Sequence, residues 1–384
     1  MSEVARLRPV PDDREDLSLP GWVYRDPEYF RVEMARLIRP SWQIVCHAND
    51  IVEAGEWRTL EILGDSIIVI RGTDGTARGF ANVCRHRGSR LVDGQAGCAK
   101  RLTCPYHAWT YATDGRLVGV PDREDYPGLD PSALGLVPVE LETWRGFLFV
   151  RLESGGPSVA EMMAPYAEEA AAYPFEEMQA LGRITMRPRD VNWKNVADNY
   201  SDGLHIKVAH PGLTRLFGGD YRIEAGPNVD RMSGELIERP SANLSERAYQ
   251  ALLPKEAGRT WLYYKLWPNV ALDIYPDQVD FMHFVPVGPR RTMIREVSYA
   301  LPGASREMKA ARYLNWRINR RVNDEDTVLI RRVQQGMASN LYRPGPLGKS
   351  EVCLRSFARK LRRLIPEARL DSPPPPGWSG LPRA

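Results

Sequence analysis

The sequence predicts an α+β protein: a small, turn-rich β domain followed by a larger domain in which consecutive strands lead into one long helix. Three observations predict it. Between residues 41 and 150, the runs "EWRTLEIL", "SIIVIRGT" and "ARGFANV" are β-branched or alternating, and Gly-Asp and Thr-Asp-Gly turn signals separate them. Further on, "WLYYKLWPNVALDIY", "DFMHFVPV" and "TMIREVSYALP" read as three strands in succession. After them, Ile318, Val322, Leu329 and Val333 recur at helical spacing within a long polar segment.

The chain of 384 residues is long enough for two domains and a substantial core. Its 52 Lys and Arg against 49 Asp and Glu leave a net charge of only +3, which argues against a nucleic-acid partner. No apolar run approaches the ~18–20 residues needed to cross a bilayer, so no membrane span is expected. Five cysteines and an opening "MSEVARLRPVPDD" without an apolar signal lead us to expect a reduced, cytoplasmic protein.

The stretch "CRHRGSRLVDGQAGCAKRLTCPYHAWTY" holds three of the five cysteines and two of the six histidines. In a reducing compartment such clustering points to metal before disulfide. The spacing is Cys84-x-His86, then Cys104-x-x-His107. A structural zinc site could use these four groups. Zinc sites, however, normally take close pairs of one kind, whereas here each short loop offers one thiolate and one imidazole. That division suits a Rieske [2Fe–2S] cluster, in which one iron keeps two Cys and the other takes two His. Cys98 has no His partner and reads as a spectator, and Cys46 and Cys353 as packed or semi-exposed free thiols. Arg85 and Arg87 flank His86, either as ordinary surface charge or as part of a docking surface for an electron donor.

A cluster domain alone needs only about 100 residues, which leaves most of the chain to explain. "PSVAEMMAPYAEEAAAYPFEEM" reads as an amphipathic helix ended by Pro174. In "VNWKNVADNYSDGLHIKVAHPGL", His205 and His210 stand beside Asp198, Asn199 and Asp202. Five residues along a regular helix turn through about 500°, so the two histidines could not face one ion from it. Either the helix widens locally into a π-type turn or it ends before His210, as Pro211 would encourage. A third ligand can be sought in the late helix, where Asp326 lies on the apolar stripe and faces inward. Glu325 is expected to pair with Arg321 at the surface, and Asp324 to belong to the polar face. An inward carboxylate must be paired, protonated or coordinated. With His205 and His210 it would complete the two-His, one-carboxylate set of a non-haem Fe(II) site. The competing assignment is a cap or a buried ion pair with an arginine.

Together, "CRH", "CPYHAWTY", "DGRL", "NWK…DNYSDGLH…AH" and "NDEDTVLIRRVQQG" resemble the Rieske non-haem iron oxygenases, specifically their terminal oxygenase α subunits. The resemblance implies a Rieske-type β domain inserted before a helix-grip catalytic domain, a curved antiparallel sheet around a long helix. It divides the chain into residues 1–40 packing with the catalytic domain, 41–150 around the cluster, 151–368 catalytic and 369–384 a Pro-rich tail, disordered or strapped over a neighbouring subunit. It makes Cys84, His86, Cys104 and His107 the cluster ligands and His205, His210 and Asp326 the ligands of a mononuclear Fe(II). Asp202 matches the carboxylate that bridges the two centres, here from His205 to His107 of the partner subunit, with a homotrimer as the expected minimum. Ala108 departs from the family's usual Gly after the second His. The sequence carries no flavin or dinucleotide fingerprint, so electrons from NAD(P)H are expected through a separate reductase or ferredoxin.

The expected reaction is hydroxylation of a small organic substrate with O2. An aromatic compound, and so a place in aromatic hydrocarbon catabolism, is the first expectation, with Arg215 or Arg295 holding a substrate carboxylate. The alternative is a quaternary amine of choline or betaine type, held by cation–π contact. A third reading is an electron-transfer protein without oxygenase activity, against which the inward Asp326 argues. Trp261, Tyr263, Tyr264, Trp267, Tyr275, Phe281 and His283 are the aromatic candidates for the pocket region.

Overall fold

In a computed structural model, which describes residues 16–238, 241, 243–254 and 258–382, the turn-rich region becomes two antiparallel sheets. The larger has seven strands in the order β1-β10-β9-β4-β3-β2-β5. These are β1 (Gln43–His47), β2 (Glu56–Ile62), β3 (Asp65–Arg71), β4 (Ala77–Ala81), β5 (Ala96–Cys98), β9 (Pro138–Trp144) and β10 (Phe147–Arg151). The smaller is β6 (Leu102–Thr103), β7 (Thr110–Tyr111) and β8 (Leu117–Gly119). Leu63 and Gly64 both take positive φ between β2 and β3, the two-residue turn whose twist matches a hairpin. Trp57, Ile70, Phe80, Leu102, Trp109 and Tyr111 fill the space between the sheets, and Cys84 and Cys104 belong to the same buried cluster.

This unit runs Arg39–Arg183 and regains Val297–Pro302, so its boundary lies later than the one expected at residue 150. Hydrogen bonds supply the reason. Glu142 accepts from the backbone of Val159 and Ala160, and Arg145 donates to the carbonyls of Ala170 and Tyr173. The segment after β10 is thereby tied back to the strands it follows. Its expected single helix is two short ones, Val159–Met163 and Ala167–Ala171, parted by a 3₁₀ turn that contains Pro165. β11 (Gln179–Ala180) pairs with Tyr299 and Ala300.

The second unit comprises residues 16–38, Ile184–Glu296 and the chain from Gly303. Its sheet runs in the order β18-β17-β16-β15-β14-β13, with β12 against β18, and β12–β18 and the pairs from β17 to β13 are antiparallel. The strands are β12 (Thr185–Arg189), β13 (Tyr221–Glu224), β14 (Val229–Glu235), β15 (Thr260–Leu266), β16 (Val270–Ile274), β17 (Gln278–Gly288) and β18 (Arg291–Ala300). The expected long helix is Arg306–Met337, capped by the Ser305 hydroxyl, which accepts from Met308 N at 3.2 Å. Its buried stripe is Ala311, Asn315, Ile318, Ile330 and Gln334, with Asp326 one turn before Ile330. Val333, expected on that stripe, is 46% exposed.

Residues 16–38 pack within this unit through a buried ion pair. Lys194 Nζ lies 2.8 Å from Glu33 Oε1, and both side chains are fully buried. Lys194 also donates to Val23 O, and Trp193 Nε1 to Glu33. This anchors the helix Trp193–Ser201, which leads to the histidines. The proline-rich tail straps its own unit. Glu28 accepts from Gly377 N and Ser379 N, and Trp22 Nε1 donates to Leu370 O.

Candidate metal centres

The two Cys/His loops are built alike. Cys84 N donates to Ser89 O and Cys104 N to Trp109 O, while Gly88 N and Ala108 N return to the carbonyls of Cys84 and Cys104. Each loop needs a left-handed residue four positions after its Cys. Gly88 takes it at φ 75° and Ala108 at φ 55°. Cys84 and Cys104 are buried, and the rings of His86 and His107 meet at 4.6 Å between centroids. Trp109 stacks on His86 at 4.8 Å. The Tyr111 hydroxyl, 3.4 Å from Cys84 Sγ, accepts from Arg85 N.

Whether these groups fit a cluster can be judged from their bare donor atoms. The Nδ1 atoms of both His86 and His107 are buried and make no hydrogen bond. A buried ring nitrogen without a partner is costly unless a metal takes its lone pair. Burial, then His107 and Arg87, lower the pKa of His86 and favour the neutral, ligating form. Burial resists ionisation of Cys104, but the backbone N–H groups of His107 and Tyr106 outweigh it and lower the thiol's pKa. Two inner thiols and two outer imidazoles suit the divided ligation of a Rieske centre. Cys98 is exposed on β5, apart from this cluster of buried residues. Arg87 lies over the exposed ring of Tyr106, and Arg85 reaches Gly135 O.

The second site forms where the helix Trp193–Ser201 breaks. Asp202 leaves the helix, Ile206–Ala209 makes one further turn, and His210 ends that turn immediately before Pro211. Of the two local geometries the sequence allowed, the ended helix is the one found. His205 Nε2 and His210 Nε2 lie 3.1 Å apart, and Asp326 Oδ1 is 3.4 and 3.0 Å from them. Asn199 Nδ2 donates to Asp326 Oδ1 at 3.0 Å.

The outer ring nitrogens decide what those inner atoms carry. His205 Nδ1 is 3.1 Å from Asp202 Oδ2, and His210 Nδ1 is 2.9 Å from Glu325 Oε2. Carboxylates accept, so each Nδ1 holds the hydrogen and both Nε2 lone pairs converge with the Asp326 oxygen. Three electron-rich atoms at this separation need a cation. Without metal, a proton serves: burial disfavours the charge on His205, but Asp202 and Asp326 outweigh it and raise its pKa to about 9. Burial would raise the Asp326 pKa, yet the two histidines bring it down to about 2. The donor set fits a divalent iron with open positions.

Asp202 reaches His205 across a turn, with its second oxygen accepting from Leu204 N, and not along a helix face. Glu325 corrects the expectation more sharply. It does pair with Arg321, at 3.1 Å, but its other oxygen holds His210. Both Glu325 and Asp326 therefore serve the histidines.

A cavity of about 120 Å³ opens over His205, His210 and Asp326. Tyr200, Tyr221, Tyr263 and Tyr275 wall it, with Asp273, Asp280 and Glu296 among its acids and Arg189 beside them. Tyr263 and Tyr275 are thus in the cavity wall, whereas Trp261, Tyr264, Trp267, Phe281 and His283 do not line it. Arg215 is paired with Glu246 at 2.6 Å and Arg295 lies beside His283, so neither provides the expected carboxylate anchor. Asp273 and Asp280 stand directly opposite each other on β16 and β17, both buried. Tyr200 donates to Asp273. Burial, moderated by that bond and reinforced by Glu296, raises the Asp273 pKa to about 7. An acid inside each of "VALDIY" and "DQVDFMHF" was the available signal for this pair.

Comparison with known proteins gives two family matches: "Rieske [2Fe-2S] domain" over residues 41–138 and "Ring hydroxylating alpha subunit (catalytic domain)" over residues 172–367. The carnitine monooxygenase oxygenase subunit of Escherichia coli K12 is 28% identical, over 86% of this chain and 87% of its own. The chloroplastic choline monooxygenase of Spinacia oleracea is 30% identical, over 86% of this chain and 74% of its own. A crystal structure of the quaternary ammonium Rieske monooxygenase CntA superposes with a TM-score of 0.80 at 23% identity, over 93% of this chain and 99% of that one.

Ala108 in the left-handed region costs about 1–2 kcal/mol, which glycine would largely relieve at some expense in chain entropy. Ala108→Gly is expected to raise the denaturation midpoint of the cluster-bearing unit, followed by loss of its visible absorption. An unchanged or lower midpoint would mean that the loop is not strained there.

Proposed function

The chain belongs to the ring-hydroxylating α subunits that carry a Rieske [2Fe–2S] domain, and from that premise we propose that its substrate is a small methylated ammonium compound. It is a Rieske non-haem iron oxygenase, with a [2Fe–2S] cluster and a mononuclear iron as cofactors. In our reading Cys84, His86, Cys104 and His107 hold the cluster, and His205, His210 and Asp326 the mononuclear iron. With both groups bound, those residues would place the chemistry of O2 activation at the iron site, with electrons reaching the cluster from a separate reductase.

One observation carries the substrate reading: two buried carboxylates face each other across β16 and β17 beneath a wall of tyrosines. Like charges directly opposite on a sheet repel, and burial removes the water that would screen them. A permanent cation relieves both costs. Tyr263 lies 6.1 to 6.4 Å from Tyr200, Tyr221 and Tyr275 between ring centroids, so the rings can surround a trimethylammonium head. The relatives named for carnitine and choline support this class better than the first expectation of an aromatic substrate. The residues then have distinct tasks. Asp273 and Asp280 hold the positive charge, the tyrosines exclude water, and Asn199 steadies the Asp326 carboxylate. Asp202 keeps a hydrogen on His205 Nδ1, and in our reading it would link His205 to a neighbouring subunit's cluster, the source of electrons, in a homotrimer.

The charge reading has a direct test in substrate binding. Asp273→Asn should weaken binding of choline-type cations by about tenfold or more, the scale of one charge interaction in a desolvated site. Binding of the uncharged carbon isostere should change little. In the wild type, a quaternary amine keeps its charge at every pH while Asp273 ionises on passing upward through about 7. Affinity should therefore rise through that range and then level, and the Asn variant should lose this dependence. Equal weakening of cation and isostere would assign Asp273 to packing alone.

Electron delivery between subunits has its own test. His86→Ala should spoil the cluster and spare the iron site, and Asp326→Ala should do the reverse. Each variant alone should be inactive, and co-expression should restore part of the turnover in mixed assemblies. Mixed assemblies verified by mass spectrometry without any turnover would rule out delivery between subunits.

A further inference from the structure

We infer that Glu325 is a positioning residue for the mononuclear iron: it clasps the His210 imidazole at Nδ1 and so turns Nε2 toward Asp326 and the metal. The inference rests on the ligand assignment proposed above.

The need for such a clasp begins with the backbone. His210 sits between two short helices at φ −117° and ψ 73°, outside the helical region. The rotamer limits that a helix would place on its ring do not apply there. The ring is buried, and its bonds must orient it. On the long helix, residues 325 and 326 project about 100° apart, so two equal side chains would diverge from one target. Their unequal lengths solve this. The short Asp326 meets Nε2 at 3.0 Å, and the longer Glu325 reaches round to Nδ1 at 2.9 Å.

Glu325 is itself held in place. Its other carboxylate oxygen accepts from Arg321 Nε at 3.1 Å, one helical turn earlier. Arg321 is largely exposed, whereas Glu325 is about one-quarter exposed, so the pair runs from solvent inward to the ring. An exposed i, i+4 pair contributes little by itself. As the acceptor for Nδ1–H, the same carboxylate determines the His210 tautomer and makes Nε2 a better ligand. Asp202 does this for His205 from a turn, and Glu325 does it for His210 from the helix that also supplies the carboxylate ligand.

Fe(II) affinity gives the test. Full-length protein with its cluster retained is stripped of mononuclear iron by chelation and titrated anaerobically with Fe(II), the bound iron being counted after equilibrium dialysis. Glu325→Ala should weaken Fe(II) binding by about 10- to 100-fold, as loss of an outer hydrogen-bond partner does at other metal sites. Glu325→Gln, whose amide oxygen can accept the same bond, should stay close to wild type. Glu325→Met, similar in size but without an oxygen, should behave as the Ala variant and keeps the test valid if Ala disturbs the helix. Cluster absorption and far-ultraviolet circular dichroism should be unchanged throughout. Wild-type affinity in both the Ala and Met variants would overturn the inference, as would equal losses in Gln and Met. His210→Ala separates the two levels: normal Fe(II) binding in it would remove the ligand assignment, whereas loss there with normal binding in Glu325→Met would remove only the role of Glu325.

Discussion

Three lone pairs directed at one point are the constraint on which the catalytic unit depends. His205 Nε2, His210 Nε2 and Asp326 Oδ1 lie within 3.4 Å of one another, and carboxylates behind the rings hold the Nδ1 hydrogens, so that in the neutral rings both Nε2 lone pairs point inward. Much of the surrounding structure serves that convergence. The helix Trp193–Ser201 ends so that Asp202 can turn back toward His205, and Pro211 ends the next turn at His210. The long helix runs past with Asp326 facing in, and the buried Glu33–Lys194 pair anchors the first helix to residues 16–38. Such a buried pair contributes little net stability but is costly to break, which suits a device for position.

The same electrostatic logic recurs on the facing sheet. Asp273 and Asp280 are adjacent, buried and alike in charge, an arrangement that a sheet selected only for stability would avoid. At the iron site an excess of lone pairs calls for a metal cation, and in the proposed reading the excess of carboxylates over it serves an organic one. The tyrosines offer ring faces between them, the surroundings that the proposed methylated ammonium substrate would need.

How much of this was legible in the sequence follows from how local each signal is. The cluster loops were readable because Cys-x-His and Cys-x-x-His carry their chemistry within four residues, and the long helix because its apolar period persists. His205, His210 and Asp326 could be proposed because inward polar residues are conspicuous. The stripe departs from expectation at Val333, since residues 329 and 333 each precede the buried 330 and 334 by one residue, about 100° around the helix. In the sequence Glu325 reads as a surface residue because Arg321 offers a sufficient local partner, and only the fold brings His210 to its other oxygen. The pairing of Asp273 with Asp280 depends on strand register, which no single strand reveals. The expected anchors Arg215 and Arg295 are satisfied by Glu246 and beside His283, partners distant in sequence or on a neighbouring strand.

Anomalous diffraction at the iron edge, from crystals of protein purified without added metal, tests the central claim most directly. The account predicts two close iron peaks bounded by Cys84, His86, Cys104 and His107, and a single one bounded by His205, His210 and Asp326. Zinc at either position, or the single peak bound elsewhere, would contradict it.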